Sequence, residues 1–432
     1  MVNAIPYESV FRRKNHMSYY KSTLLALALS IYAGGSHADK TVLTVAAYPA
    51  VDQIVKDSLA VWSKNHPDVE VKVVGREYSD HHTAMTTALA ASSGLPDIMT
   101  IEYGYLGRFA NSGGFENLLE APYSAGEYEK KIVPFAWAQA NHAKHGQTAL
   151  PTDIGPGAMF YRADLVKAAG VTESDLNGSW DSFIESAKKL KANGDIRIIA
   201  HARDVKDIVI RTGIEPGSGI YFDSNGKSVV GTDLRFKRAF ELAKTVRDGG
   251  LDADIGAWSN EWGEALRRGD VATQMMGAWL GGHLKNWLAP DTAGNWRSTT
   301  LPEGANVSWG GTFYGIPKQS KNKELAWSLI KHLTLSQAQQ EAAFVKHDAF
   351  PALVSAHNAS FFDEAIPFLG DQVARPTWRK TAMAIVPTEV FKHDAIAEEI
   401  VNAELDLVLT KGKSVTDAIA DAERMVARRA RR

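Results

Sequence analysis

The chain has 432 residues, 45% of them hydrophobic, with 48 basic side chains against 50 acidic ones. That balance excludes the basic excess of a typical nucleic-acid binder. The absence of cysteine excludes disulfides, zinc–thiolate sites and a thiol nucleophile.

In chain order, the first element is a leader. Arg12, Arg13, Lys14 and Lys21 precede an apolar run from Leu24 to Ala33, and Gly34, Gly35, Ser36, His37 and Ala38 follow. A basic segment, an apolar segment of roughly 7–15 residues and a small-x-small site define a secretory signal peptide. Cleavage is expected between Ala38 and Asp39, giving a leader over residues 1–38. A membrane span would need about 20 apolar residues, and the two glycines end the run short of that. Residues 1–16 are polar for a leader, and a start at Met17 would give better proportions. A lipid-anchored protein would need a cysteine just after its leader, so free diffusion in a periplasm is expected, as a monomer.

The remainder is long enough for two or three domains of ~100–200 residues each. No repeat or long linker interrupts it. Thr41 to Ala47 reads as a buried strand, and Val51 to Asn65 as a helix with apolar spacing at Val51, Ile54, Val55, Leu59 and Trp62. A second strand, Val69 to Val74, precedes a helix from His81 to Ser92 that stops before Gly94 and Pro96. Asp97 to Ile101 is the third strand. Ligands of open parallel sheets sit outside the carboxyl ends of the strands, which places Tyr48, Glu102 and Tyr103 as candidates. Further on, Trp180 to Lys191 is a helix and Ile196 to Ala200 a strand. Phe236 to Val246, Trp262 to Arg268, Lys323 to Leu333, Ser336 to Phe344 and Val415 to Arg429 are amphipathic helices. The arginines of the last, Arg424 to Arg432, are read as complementing a helix C-terminus.

Several ordered segments resemble the extracellular solute-binding proteins of carbohydrate ABC importers, the group that includes maltose-binding protein. They are Leu43 to Val45 with His66 to Val71, Ala90 to Ile98, Leu150 to Gly155, Phe160 to Leu165 with Ala169–Gly170, Arg268 to Trp279, and Trp309 to Pro317 leading into Ser320 to Trp327. The resemblance covers nearly all of the mature chain. It implies a two-lobed α/β periplasmic binding protein fold of the class II type, each lobe a mostly parallel sheet flanked by helices, with the ligand cleft between them. Carried over, residues 39–150 and 313–350 form the N-terminal lobe, and residues 151–312 and 351–432 the C-terminal lobe. Chain crossings fall near Leu150 to Asp153, Ser308 to Thr312 and Phe350–Pro351. The implied partners are a sugar ligand and ABC permease subunits; no cofactor is expected, since nothing in the chain reads as an ATP or metal motif.

A sugar ring has an apolar C–H face and a rim of hydroxyls, suited by aromatic faces and by carboxylates or amides. Eleven tryptophans leave position to choose among them. Trp279, at the end of the buried strand Val271 to Met276, stands where the family places its stacking aromatic. Asp153 lies at the first crossing, with a hinge or capping role equally open. Gly310, Gly311 and Thr312 would let backbone approach a ligand, or form a plain strand turn. Trp258, Trp262, Arg203, Asp204 and Trp378 rank lower: one of the first two tryptophans is expected in the core, and Arg203–Asp204 reads as a surface ion pair. Trp378 lies where family members often send a late loop into the cleft. His81 and His82, adjacent on a helix, point to different faces and are read as solvated or capping rather than metal-binding. A polyamine, iron or anion ligand on the same fold, or a glycosidase with two carboxylates, are the alternatives. No acidic cluster is visible near the expected cleft, which favours a neutral sugar.

Overall fold

In the computed structural model, which describes residues 40–431, the alternating patterns become nine strands among the described residues. They are β1 (Thr41–Ala47), β2 (Val69–Gly75), β3 (Ile98–Glu102), β4 (Asn141–His142), β5 (Gly146–Gln147), β6 (Leu150–Arg162), β7 (Thr273–Gly277), β8 (Trp296–Thr299) and β9 (Ser308–Gly315). The expected leader lies outside the described residues.

β1 pairs in parallel with β2 and with β3. The helices α1 (Val51–Trp62) and α2 (Tyr78–Ala91) make the two crossovers. α1 forms because Val51, Ile54, Val55, Ser58 and Trp62 share one buried stripe; its expected last three residues tighten into a 3₁₀ turn, Ser63–Asn65. α2 begins three residues before the expected start and stops at Ser92, which takes a left-handed conformation. A third helix, α3 (Tyr103–Asn111), follows β3 directly, with the Glu102 side chain capping it by accepting from Gly104 N–H.

The full order is β2-β1-β3-β9-β6-β7, with β8 also on β6. The sheet is therefore mixed: β9 is antiparallel to both β3 and β6, and β7 and β8 are antiparallel to β6. The mostly parallel arrangement expected for each lobe holds only for β1–β3, because β9 and β6 enter the sheet as through-going strands rather than by helical crossovers. β6 spans 13 residues. Its start pairs with β9, while Met159 to Arg162 pair with β8 and Gly157 to Tyr161 with β7. A strand of this length reaches roughly 40 Å, long enough to serve two packed regions. Between Pro151 and Asp153, and again between Ile154 and Pro156, its register with β9 shifts.

The expected strand Ile196 to Ala200 is not a ladder. Arg197 and Ile199 make isolated parallel bridges to Val271 and Asp252, so the segment is extended but too short-paired to count as a strand. The buried hydrophobic residues gather into three clusters, two of them large. One gathers Trp62, Leu150, Ala326, Ile330 and Leu333 with residues of the later chain. The other, including Phe183, Ile208, Phe236, Phe240, Val401 and Leu405, draws its buried members entirely from residues 159–426. Trp262 is fully buried in the first, the core role expected for one of the Trp258–Trp262 pair.

Candidate ligand-binding site

β3, β9 and β6 bring three expected residues into one row. Thr312 stands opposite Glu102 on one side and opposite Asp153 on the other. Asp153 also bridges to Pro351, so three separate returns of the chain meet at the backbone of this residue. Tyr48, immediately after β1, closes the row: its hydroxyl shares a hydrogen bond of 2.7 Å with Thr312 Oγ1.

The row is electrostatically costly. Asp153 Oδ1 is buried with no hydrogen-bond partner. Burial pushes the Asp153 carboxyl up to about 6, against the Thr312 hydroxyl, which favours the ionised form. Burial likewise raises Glu102 to about 7, although the Tyr78 hydroxyl and Gly104 N–H both donate to it. Those two bonds, at 2.7 and 2.8 Å, fall on the same oxygen, Oε2. The other, Oε1, faces Gly310.

Gly310 is the hub of the arrangement. A Cβ there would lie 3.5 Å from Trp279 Nε1 and 3.8 Å from Glu102 Oε1. The indole edge of Trp279 and the free carboxylate oxygen of Glu102 thus flank the same backbone. Trp279 is fixed by donating Nε1–H to the Trp309 carbonyl at 2.9 Å. Trp258 stacks on it, with ring centroids 5.8 Å apart and planes at 25°. Gly310 and Gly311 have φ of 83° and 136°, conformations that glycine alone adopts without penalty.

Of the expected residues, Tyr48, Glu102, Asp153, Trp279, Gly310, Gly311, Thr312 and Trp258 therefore lie in one connected cluster. Tyr103 sits at its margin, lining a small cavity with Arg211 and Ser308. Trp378 does not join them. It is 4% exposed, packs against Phe160 and donates Nε1–H to Ser298 Oγ at 2.9 Å; its helix, Arg375–Ala384, turns the indole into the core.

Other expectations are corrected. Arg203 and Asp204 do not pair on the surface: Arg203 binds Asp406 at 2.7 Å, and the buried Asp204 accepts from Gln274 at 2.7 Å. They begin a helix, Arg203–Ile210, so their side chains diverge. His81 and His82 are both fully buried, not solvated. His81 Nε2 lies 2.8 Å from the Thr100 carbonyl; His82 Nδ1 is 2.8 Å from the Tyr78 carbonyl, and His82 Nε2 accepts from Glu102 N–H. Burial holds His82 down to about 3, so it positions Glu102 as a neutral ring. The expected lack of acidic residues is also overturned. The Tyr103 phenol is raised chiefly by burial and further by Asp394 and Glu398, on a late helix (Asp394–Lys411), and Glu398 also acts on Glu102. Arg211 answers part of this charge, 3.7 Å from Glu398 and bonded to Asp207, with its guanidinium 5.0 Å over the Trp309 ring. Tyr78, Arg211 and Glu398 carry no local motif, and sequence reasoning missed them; Trp309 lies in a segment that carries the resemblance but was not named as a site residue.

The family profile described as bacterial extracellular solute-binding protein matches residues 43–340. The chain belongs to that family. As a solute-binding protein it is similar to the lactose-binding protein of Rhizobium radiobacter, 27% identical over 390 residues, covering 86% of this chain and 88% of that one. It is also similar to the arabinooligosaccharide-binding protein of Bacillus subtilis (strain 168), 28% identical over 323 residues, 70% of this chain and 73% of the other. Among solved structures, an extracellular solute-binding protein of family 1 superposes with a TM-score of 0.80 at 22% identity, covering 90% of this chain and all of that one. The sugar-binding protein MalE of Xanthomonas citri does so at 0.74 and 20%, over 90% and 98%. These likenesses establish the two-lobed solute-binding fold. Among the described residues no helix is long and apolar enough to cross a membrane.

Proposed function

We propose that this solute-binding protein captures a sugar or short oligosaccharide between two lobes and delivers it to the permease of an ABC importer. The observation that carries the reading is the pairing of an indole with unfilled carboxylate oxygens. Trp279 offers partly exposed aromatic surface beside Gly310, while Glu102 Oε1 and the unpartnered Asp153 Oδ1 offer acceptors. An apolar ring face with outward hydroxyl donors satisfies both. The relatives named for lactose and arabino-oligosaccharides support it.

On this reading residues 40–150 and 313–350 form one lobe and 151–312 and 351–431 the other. The meeting of Asp153, Thr312 and Pro351 is the hinge between them. Ligand contacts made only in the closed state drive closure, the closed form docks on the permease, and a separate subunit hydrolyses ATP. The protein acts as a monomer in the periplasm, exported by a cleaved leader and not lipid-anchored, and it returns its sugar chemically unchanged.

Mass spectrometry of ligand released from protein purified without added sugar, followed by calorimetry with the sugar found, tests this. Trp279→Ala is expected to weaken binding at least ~10-fold, about 1.4 kcal/mol or more, with an unaltered circular dichroism spectrum. Unchanged affinity would remove Trp279 from the site, and turnover of the sugar would defeat the binding-only reading.

A further inference from the structure

The helix Val415–Ala430 carries charge that its packing does not use. It buries Ala418, Ala422 and Val426, one stripe at a spacing of four. Its three carboxylates are engaged locally. Asp417 accepts from Ser414 Oγ at 2.7 Å, and Asp421 binds Lys413 at 2.6 Å. Glu423 accepts from Ser228 Oγ at 2.6 Å and from Gly231 N–H at 3.0 Å. Opposite the buried stripe stand Arg424, Arg428 and, just past the helix, Arg431. Spaced at i, i+4 and i+7, they are all exposed and line one surface depression with Met425 and Ala427. Arg424 reaches Asp421 at 2.8 Å, whereas Arg428, Arg429 and Arg431 have no ion pair among the described residues.

The helix dipole does not account for the whole stripe. It favours cations within the last turn, which holds Arg428 and Arg429 but not Arg424 or Arg431. Residues 424–432 contain five arginines, with no lysine and no acid. Guanidinium differs from ammonium in its planar fork, which meets two phosphate oxygens at once. The body behind this face is acidic. Residues 1–38 hold Glu8 against Arg12, Arg13, Lys14 and Lys21, so the formal net charge of −2 becomes −5 from residue 39 onward. An anionic surface therefore repels the bulk of the molecule and attracts this side of it. Residues 415–432 include no aromatic side chain to stack on nucleic-acid bases, which favours a lipid surface over a nucleic acid.

We infer that the face formed by Arg424, Arg428 and Arg431 docks on the phosphate headgroups of an anionic phospholipid bilayer, with the acidic body turned away. The inference stands apart from the ligand site. On the transport reading above, the contact keeps the freely diffusing protein close to its permease.

The test is vesicle co-sedimentation of protein recovered from a periplasmic extract. Vesicles of phosphatidylethanolamine with phosphatidylglycerol should carry the protein down at low salt and release it at about 0.5 M NaCl. Vesicles of zwitterionic phosphatidylcholine should leave it in solution. Each basic residue near an anionic leaflet contributes about fivefold in affinity. The triple variant Arg424→Gln, Arg428→Gln, Arg431→Gln should therefore bind at least ~30-fold more weakly, with its melting temperature unchanged. The same three positions changed to Lys should keep most of the binding. If the glutamine triple does not fold, the single Arg428→Glu variant reads the same loss, at least ~10-fold. No sedimentation with phosphatidylglycerol, equal binding to phosphatidylcholine, or undiminished binding of the charge-removed variant would overturn the proposal. Binding to a short DNA duplex as tight as to the vesicles would overturn it in favour of a general polyanion site.

Discussion

Asp153 and Glu102 are carboxyl groups held where ionisation is costly, and the cost has a direction. Burial raises both, to about 6 and about 7. A group with a raised native pKa stabilises the fold below its unfolded pKa, and that contribution is lost as pH rises through the native value. For Glu102 the window runs from about 4.3 to about 7. Buried neutral histidines such as His82, held down to about 3, act with the opposite sign, so the informative quantity is a difference between variants. Glu102→Gln keeps an oxygen acceptor for Tyr78 and Gly104 while removing the charge. Its melting temperature should match that of the parent near pH 4 and exceed it by roughly 2 °C or more near pH 8. A gap that shrinks with rising pH would mean the Glu102 carboxyl is not raised. The residue types at these positions were legible from strand ends. Their shared row was not, because Glu102, Asp153 and Thr312 are far apart in sequence and meet only through β9.

At the scale of elements, the sheet depends on a bend that only glycine provides. Gly310 and Gly311 let β9 leave Trp309 and reach Thr312, and the φ of 136° at Gly311 lies outside what a side chain tolerates. Gly311→Ala would also bring a Cβ to 3.1 Å from the Asp153 carbonyl. We expect it to cost about 1–3 kcal/mol in urea unfolding and to weaken ligand binding alongside; an unchanged midpoint would show that the bend is not required. The first two helices and three strands were readable because each buries one periodic face. The helix Asp394–Lys411 was not read. Its buried Ala397, Val401, Leu405 and Val408 keep helical spacing, but the intervening Glu398, Glu399, Glu404 and Asp406 dilute the apolar signal. Overlooking it also hid Glu398, which faces Glu102 and Arg211. Trp378 was placed in the cleft by position along the chain, whereas the direction of its helix face decided for the core.

For the whole molecule, the flanks of the two proposed lobes touch away from the hinge. α3 packs on the segment before the helix Asp394–Lys411, and a Cβ at Gly107 would lie 2.4 Å from the Phe391 carbonyl. Gly107→Ala should therefore prop this contact open. Because alanine favours the helix interior, the fold should be no less stable, while ligand affinity falls at least ~3-fold through a disfavoured closed state. Calorimetry paired with small-angle scattering would check this. Equal affinity in the variant would mean that closure does not require the contact.

Sequence alone determined the chemical classes present and the order in which they come. Apolar periodicity fixed the early strands and helices, ordered motifs fixed the family, and the strand-end rule named Tyr48, Glu102 and Tyr103. The tertiary structure decided which of those groups meet. It put Asp153 at the crossing of three chain returns, turned Trp378 inward and gathered Glu398 and Arg211 around Tyr103. It also stacked Trp258 on Trp279. Local pattern reports what a residue contributes to its own helix or strand. Contacts between segments a hundred or more residues apart depend on how those elements pack, and it is there that this site is made.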